Sequence, residues 1–256
     1  MSLPFQDKVA FVTGGASGIG FAIARKLAEL GAKVAIGDVN LASAIEAAAS
    51  VGKSCLAVGV DVADERSVRD AISQVEDRFG GLHLAANCAG VQLPVGPIAD
   101  LGASNIAKTL DINLKGMIYC LKHEVTLMKK NGGLGGAIVN IASAAASQPL
   151  AYNGPYSASK AGVVAITKSA AAEVAPDHIR INSISPGYID TPMMRRVNID
   201  TDFAAARTPI GRCGEPEDVA DLATFLLNDG AKQIHGIDVP IDGGMLLGQM
   251  VKPPGY

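Results

Sequence analysis

The chain has 256 residues, 48% of them hydrophobic, enough for one large domain with a sizeable core or for two small ones. Aromatic residues make up only 4% and tryptophan is absent, so small aliphatic side chains must supply the packing, while 29 glycines allow tight turns and close backbone approach. A formal net charge of −3 with no clustered basic stretch argues against nucleic acid as a partner.

In chain order, an apolar run at Val9–Val12 predicts the first strand. Thr13-Gly14-Gly15-Ala16-Ser17-Gly18-Ile19-Gly20 comes directly after it and opens a helix over Ile19–Leu30 that Gly31 stops. Glycines at such a turn let the backbone approach a pyrophosphate at the helix amino terminus. The spacing differs from GxGxxG, and no Lys-Ser/Thr comes after Gly20, which disfavours nucleotide triphosphate cleavage. A second strand, Val34–Ile36, leads to Asp38, whose carboxylate can accept hydrogen bonds from adenosine ribose hydroxyls and would repel a 2′-phosphate. Ser17, Gly37 and Val39 offer that phosphate no basic side chain, so charge favours NAD over NADP. The competing reading of Asp38 is an ordinary turn or cap acid.

A helix at Ala42–Ser50, a strand at Leu56–Val60 and a helix at Glu65–Phe79 continue the pattern, the last preceded by Asp64 and stopped by Gly80. A strand at Leu84–Ala86 and a long helix at Ile106–Lys129 come next, with an apolar stripe through Leu114, Met117, Ile118, Leu121, Val125 and Met128. Ala137–Ile141 reads as a buried strand, with Ser143 just past it placed to hold a substrate oxygen. The uncharged stretch from Asn131 to Ser159 superficially suggests a membrane span, but Asn140, Ser147, Gln148, Asn153, Pro149 and Pro155 argue otherwise. A helix over Tyr156–Val174 puts Tyr156 and Lys160 on one face, where the ammonium would favour the phenolate and suit it to acid–base work. After a strand at Ile179–Ile184, residues 188–213 read as a substrate flap, and a helix at Pro216–Leu227 and a strand at Ile237–Ile241 close the pattern. Alternation of this kind predicts an α/β fold, a parallel sheet with helices on both faces, in one domain spanning 1–256.

Cys55, Cys88, Cys120 and Cys213 lack CxxC spacing, so reduced cytosolic thiols are expected rather than a disulfide framework or zinc site. Cys120 and His123 alone do not make a metal site, and no metal is expected. The first residues reach an apolar strand without a basic n-region and cleavage site, so a cytoplasmic protein without a signal peptide is expected.

Taken together, Thr13–Gly20, Asn87-Cys88-Ala89-Gly90, Asn113, Ser143, Tyr156-Ser157-Ala158-Ser159-Lys160, Pro186-Gly187 and Asp242-Gly243-Gly244 resemble the short-chain dehydrogenase/reductase family over essentially the whole chain. The resemblance implies a single-domain, Rossmann-type, doubly wound parallel sheet of about seven strands flanked by helices, in agreement with the alternation, and a hydride-transferring oxidoreductase acting on a secondary alcohol or the matching ketone. Tyr156 would exchange the proton, Lys160 would lower its pKa and hold the nicotinamide ribose, and Ser143 would orient the substrate oxygen. Asn113 would hold a water linking Lys160 to solvent. Cofactor contacts would come from Gly14, Ser17, Gly18, Ile19, Asp38, Asp61, Val62, Asn87, Ala89, Gly90, Tyr156, Lys160, Pro186, Gly187, Ile189 and Thr191. The family also implies a homo-oligomer, a dimer or tetramer, built on the helices that hold Leu114–Met128 and Val163–Ile166. Burial of those faces inside a monomer is the alternative.

Two residues depart from the family's habit. Cys88 stands where asparagine is usual, and His83 where aspartate is common; His83 reads as a surface substitution at a strand start. Arg195, Arg196 and Arg207 could draw an acidic substrate or form a solvated flap face. Met193 and Met194 could meet an apolar substrate or anchor the flap. Ser147, Gln148, Tyr152 and Asn153 could line a pocket or satisfy their own loop. Two other functions compete: an NADPH-dependent ketone or 3-oxoacyl reductase, which Asp38 opposes, and a non-catalytic nucleotide-binding module, which has no need of Ser143, Tyr156 and Lys160 together.

Overall fold

Runs of small and β-branched residues with no polar alternation belong in strands covered on both faces, and the chain has seven of them. The computed structural model describes residues 3–52, 54–93 and 96–248. The strands are β1 (Val9–Thr13), β2 (Lys33–Asp38), β3 (Leu56–Gly59), β4 (Leu84–Asn87), β5 (Gly136–Ile141), β6 (Ile179–Pro186) and β7 (Asp238–Ile241). All pair in parallel, in the order β3-β2-β1-β4-β5-β6-β7. The order reverses between β1 and β4, which opens a crevice at their carboxyl ends.

Three helices cover one face of the sheet: α1 (Gly18–Glu29), α2 (Leu41–Val51) and α9 (Pro216–Leu227). The other face is covered by α3 (Glu65–Phe79), α5 (Gly116–Met128) and α6 (Gly154–Val174). The anticipated caps at both ends of α3 are present. Asp64 accepts from the Arg66 amide (2.9 Å) at its start, and Gly80 closes it in the left-handed region at φ 85°.

The predicted long helix at Ile106–Lys129 is three pieces: α4 (Ala103–Leu110), a π-helical turn over Asp111–Lys115, and α5. The extra residue of the π turn rotates α5 about its axis. Within α5, Met117, Leu121 and Met128 of the predicted stripe are buried together with Cys120 and Glu124, while Ile118 is exposed. The region 188–213 also holds two short helices, α7 (Pro192–Arg196) and α8 (Thr201–Ala205), capped by Thr191 and Asp200.

His83 is not the solvated surface residue expected. It is half-buried at the start of β4, and its Nδ1 accepts the Val9 amide (3.1 Å), a β1 donor that would otherwise go without a partner. Burial, with Lys8 and Lys33 nearby, holds its pKa below the usual 6.5.

At the far edge, Ile237 and Ile241 turn their carbonyls to β6, accepting from Ser183 and Gly187. By alternation Asp238 and Pro240 present their backbone outward. The Asp238 carboxylate accepts from Ser183 Oγ (2.6 Å) and Ser185 Oγ (2.8 Å). No helix among the described residues is long and apolar enough to cross a membrane.

Candidate active site

The strand register lines up one row across the sheet: Gly37, Thr13, Asn87, Asn140, Ser183 and Asp238 pair in turn. Almost every residue predicted to bind or react lies at or just beyond that row, at the carboxyl ends of the strands.

The glycine loop leaves β1 at Thr13. Gly14 has φ +62°, and a Cβ there would sit 2.8 Å from the Ala89 backbone across the switch point. A Cβ at Gly20 would lie 2.3 Å from the Gly14 carbonyl. Ser17 caps α1 in extended geometry with no side-chain hydrogen bond, and no acid stands in the first turn. The first amides of α1 are thus free of carboxylate competition, as an anion at a helix amino terminus requires. Ile19 is half-buried, packed against the core below.

Asp38 ends β2 beside this loop. Its Oδ2 accepts the Ala16 amide (3.3 Å) and its Oδ1 accepts the Asn40 amide (3.0 Å), which fixes the carboxylate at the loop's edge. Asp61, just after β3, accepts from Ala63 N at 2.9 Å, and buried Val62 packs where a side chain at Gly116 would go. Pro186 ends β6, and Gly187 lies so close to Asp242 that a Cβ would fall 2.8 Å from its Cα. Buried Ile189 bridges to Gly214, and Thr191 caps α7 with its methyl 3.3 Å from the Cβ position of Gly18. The glycine cradle, the uncapped helix start and Asp38 together fit the pyrophosphate and adenosine ribose of a dinucleotide.

On the other side of the crevice, Ser143 ends the β5 segment and its Oγ accepts from Ala145 N (3.1 Å), opening a short 3-10 turn over Ala144–Ala146. Pro155 in the first turn of α6 pre-sets the backbone that presents Tyr156. Buried Lys160, one turn on, donates from Nζ to the Ile141 carbonyl (2.8 Å) and lies 5.8 Å from the centre of the Tyr156 ring.

The balance of charges differs from the sequence expectation. Burial pushes the Tyr156 phenol above its ordinary value, and the Ser143 hydrogen bond pulls the other way. Burial also lowers Lys160, to about 8. The ammonium is engaged by Ile141 rather than by the phenol oxygen, so desolvation outweighs it at Tyr156. The chain's own groups therefore leave Tyr156 a neutral proton donor at neutral pH, next to a lysine close to its own titration.

Asn113 lies in the π turn, fully buried. Its Oδ1 accepts the Val91 amide (2.7 Å), and its Nδ2 donates to the Val91 carbonyl (2.8 Å) and to Ser159 Oγ (3.2 Å). Its side chain is thus a clamp on the chain after Gly90. Gly90 sits against both groups: a Cβ there would meet Asn113 Oδ1 at 3.3 Å and Lys160 Nζ at 3.6 Å. Ala89 donates its amide to Thr13 Oγ1 (3.3 Å). Asn87 turns away from the crevice; its Nδ2 donates to Glu124 Oε2 (2.9 Å) and Asn140 Oδ1 (3.1 Å) inside the sheet–helix layer.

Sequence reasoning missed Glu124 and Ser159. Glu124 interrupts the apolar face of its helix three residues after Leu121, a signal that was readable. The flap arginines serve their own segment. Arg195 pairs with Asp190 (2.9 Å), Arg196 donates to the Pro192 carbonyl (3.2 Å), and the Arg207 guanidinium stacks 3.6 Å from the Phe203 ring centre. Met194 is buried as a flap anchor, and Tyr152 is exposed. A cavity of about 430 Å³, lined by His83, His178, Arg180 and His235 among others, opens at the amino ends of the strands, away from Tyr156. Of the tail, Gln249–Tyr256 lies outside the described residues.

Comparison with known proteins agrees with this geometry. A family model described as enoyl-(acyl carrier protein) reductase matches residues 14–246. The cis-4-hydroxycyclohexanecarboxylate dehydrogenase of Sinomonas cyclohexanicum is 40% identical over 247 residues, covering 95% of this chain and 98% of that protein. The cyclohexanol dehydrogenase of Acinetobacter sp. (strain SE19) is 37% identical over 250 residues, 95% and 96% of the two chains. Among solved structures, the 3-ketoacyl-(acyl-carrier-protein) reductase from Brucella melitensis complexed with NADH superposes with a TM-score of 0.89 at 31% identity, covering 94% of this chain and 99% of that one. With a match along nearly its whole length and a glycine cradle facing Ser143, Tyr156 and Lys160, this chain belongs to the short-chain dehydrogenase/reductase family of nicotinamide-dependent oxidoreductases.

Proposed function

We propose that this chain oxidises a ring-borne secondary alcohol to its ketone, and runs the reverse reaction, with NAD(H) as cofactor. The observation that carries the reading is the meeting of Ser143, Tyr156 and Lys160 opposite the Gly14–Gly20 cradle. When bound, the nicotinamide supplies the site that accepts or returns the hydride. Ser143 holds the substrate oxygen. In the reducing direction Tyr156, kept neutral by burial, gives its proton to that oxygen; in the oxidising direction it takes the hydroxyl proton as the phenolate, after its own proton has left. Lys160, near 8, restores the tyrosine's proton state, and the Asn113 clamp on Val91 holds Gly90 against it. The ring-borne alcohol is inferred from the names of the two dehydrogenases, and the NAD preference from Asp38.

In a second reading, a 3-oxoacyl reductase using NADPH, the acyl substrate is favoured by the likeness to the Brucella enzyme, while NADPH is opposed by Asp38 at the ribose position and by the NADH in that enzyme's complex. We also assign the enzyme to a reducing compartment, the cytoplasm, on its free cysteines, and infer that it works as a homo-oligomer.

Tyr156→Phe tests the mechanism. With cyclohexanol and NAD, the variant should lose about 10²–10⁴-fold in kcat, the usual worth of a positioned acid–base group, while binding NADH as the wild type does. Near-wild-type turnover would remove Tyr156 from the mechanism. Activity on 3-oxoacyl thioesters alone would move the second reading to the front.

A further inference from the structure

Glu124 is wholly buried, and among the described residues no lysine, arginine or histidine pairs with it. Its neighbour His123 points elsewhere, with Nε2 3.4 Å from Glu65. A lone buried carboxylate is an expensive group to keep, so it calls for a reason. The hydrogen bonds supply one. Asn87 Nδ2 donates to Glu124 Oε2 (2.9 Å), while Glu124 Oε1 and Asn87 Oδ1 are both buried with no partner. Two orphaned acceptors thus belong to two side chains already joined by one hydrogen bond. A proton on Oε1 would turn one orphan into a donor for the other, and the pair would then close as a cyclic acid–amide dimer with two hydrogen bonds. The second Nδ2 hydrogen of Asn87 still reaches Asn140 Oδ1 (3.1 Å), and Asn140 Nδ2 goes on to Thr167 Oγ1 (2.9 Å). The result is a strut from α5 through β4 and β5 to α6, one residue below Cys88 and below Ile141, the acceptor of Lys160.

We propose that Glu124 is a positioning residue held as the neutral acid, and that its double hydrogen bond to Asn87 fixes the Asn87–Gly90 turn against Lys160, Asn113 and the glycine loop. Loss of the proton sets a carboxylate against the Asn87 carbonyl oxygen and loosens the turn. The groups facing Glu124 agree with a neutral acid. Cys88 on β4 and Cys120 on α5 are thiols that burial keeps protonated; Asn140 and Thr167 carry no charge; Lys160 on α6 acts on Cys88 from the far side. Burial carries the Glu124 carboxyl up to about 7, with the Asn87 hydrogen bond opposing it. A carboxyl raised from 4.5 in the unfolded chain contributes stability that is complete at low pH and lost as pH rises through about 7.

The effect on turnover rests on the dehydrogenase reading; the acid–amide pair does not. Glu124→Gln gives the test, because its amide can both donate to Asn87 Oδ1 and accept from Asn87 Nδ2 at every pH. Between pH 6 and 8 the wild type should lose denaturant resistance and NADH affinity in parallel, and the variant should lose neither. Infrared spectra of the wild type should show a protonated-carboxyl carbonyl band at pH 6 that fades by pH 8 and is missing from Glu124→Gln. Identical pH profiles for the two proteins, or the absence of that band from the wild type at pH 6, would overturn the proposal. Both readouts stand even if no alcohol is turned over.

Discussion

Asp38 has each carboxylate oxygen tied to a backbone amide, Ala16 on one side and Asn40 on the other, so the charge cannot swing away from whatever occupies the glycine loop. Two like charges about 4 Å apart near a protein surface repel by roughly 4 kcal/mol at an effective dielectric of about 20. Part of that would be relieved by water and counterions, yet even about 1.4 kcal/mol is a tenfold preference. Fluorescence titration should therefore show NADH binding at least about tenfold tighter than NADPH, with Asp38→Ser narrowing the gap both by giving up the ribose hydrogen bonds to NADH and by relieving the repulsion of the 2′-phosphate. Equal affinities in the wild type would remove Asp38 as the selector. At this scale the sequence was most readable where one residue has one job. Ser143, Tyr156 and Lys160 sit on rigid elements at fixed spacing, and the structure brings them together. Where a job is shared between distant residues it was not readable: Glu124 and Asn87 meet across 37 positions, and only folding reveals the pair.

The start of α1 can approach the loop so closely only because Gly20 has no side chain. A methyl there would lie 2.3 Å from the Gly14 carbonyl, so Gly20→Ala must push the helix off the loop. Overpacking of this kind costs about 1–3 kcal/mol, and here the displaced parts are those that form the cradle. Chemical denaturation should show that loss together with weakened NADH binding; a variant as stable and as tight-binding as the wild type would mean that the loop yields freely. The strands were legible to within a residue or two because β1, β4 and β5 are short buried apolar runs and β6 alternates isoleucine with polar residues. The helix predicted at Ile106–Lys129 was not, because a π turn has no compositional mark and shifts the periodicity by one residue. The flap helices α7 and α8 are each five residues, too short for periodicity to register, although their caps at Thr191 and Asp200 were there to be read.

For the molecule as a whole, the exposed apolar side chains are informative. Ile118 on α5, Phe225 on α9, and Ile237 beside β7 are 39%, 51% and 47% exposed, on helices and an edge that nothing among the described residues covers. Sedimentation at micromolar concentration should give a mass two or four times the 26.2 kDa of one chain. A monomer would show that these side chains are ordinary surface residues. The predicted seven-stranded doubly wound sheet is the architecture found, since alternation of buried strands and amphipathic helices leaves few other ways to cover both faces.

The edge at β7 limits how such an assembly can grow. Of the two residues whose backbone points outward there, Pro240 has no N–H to donate, and the Asp238 carboxylate beside it is held by Ser183 and Ser185. A strand from another molecule would find too few donors along four residues and a charge in its way. At this edge, copies of this protein can therefore join through side chains alone, and β7 gives fibre-like stacking of sheets no starting template.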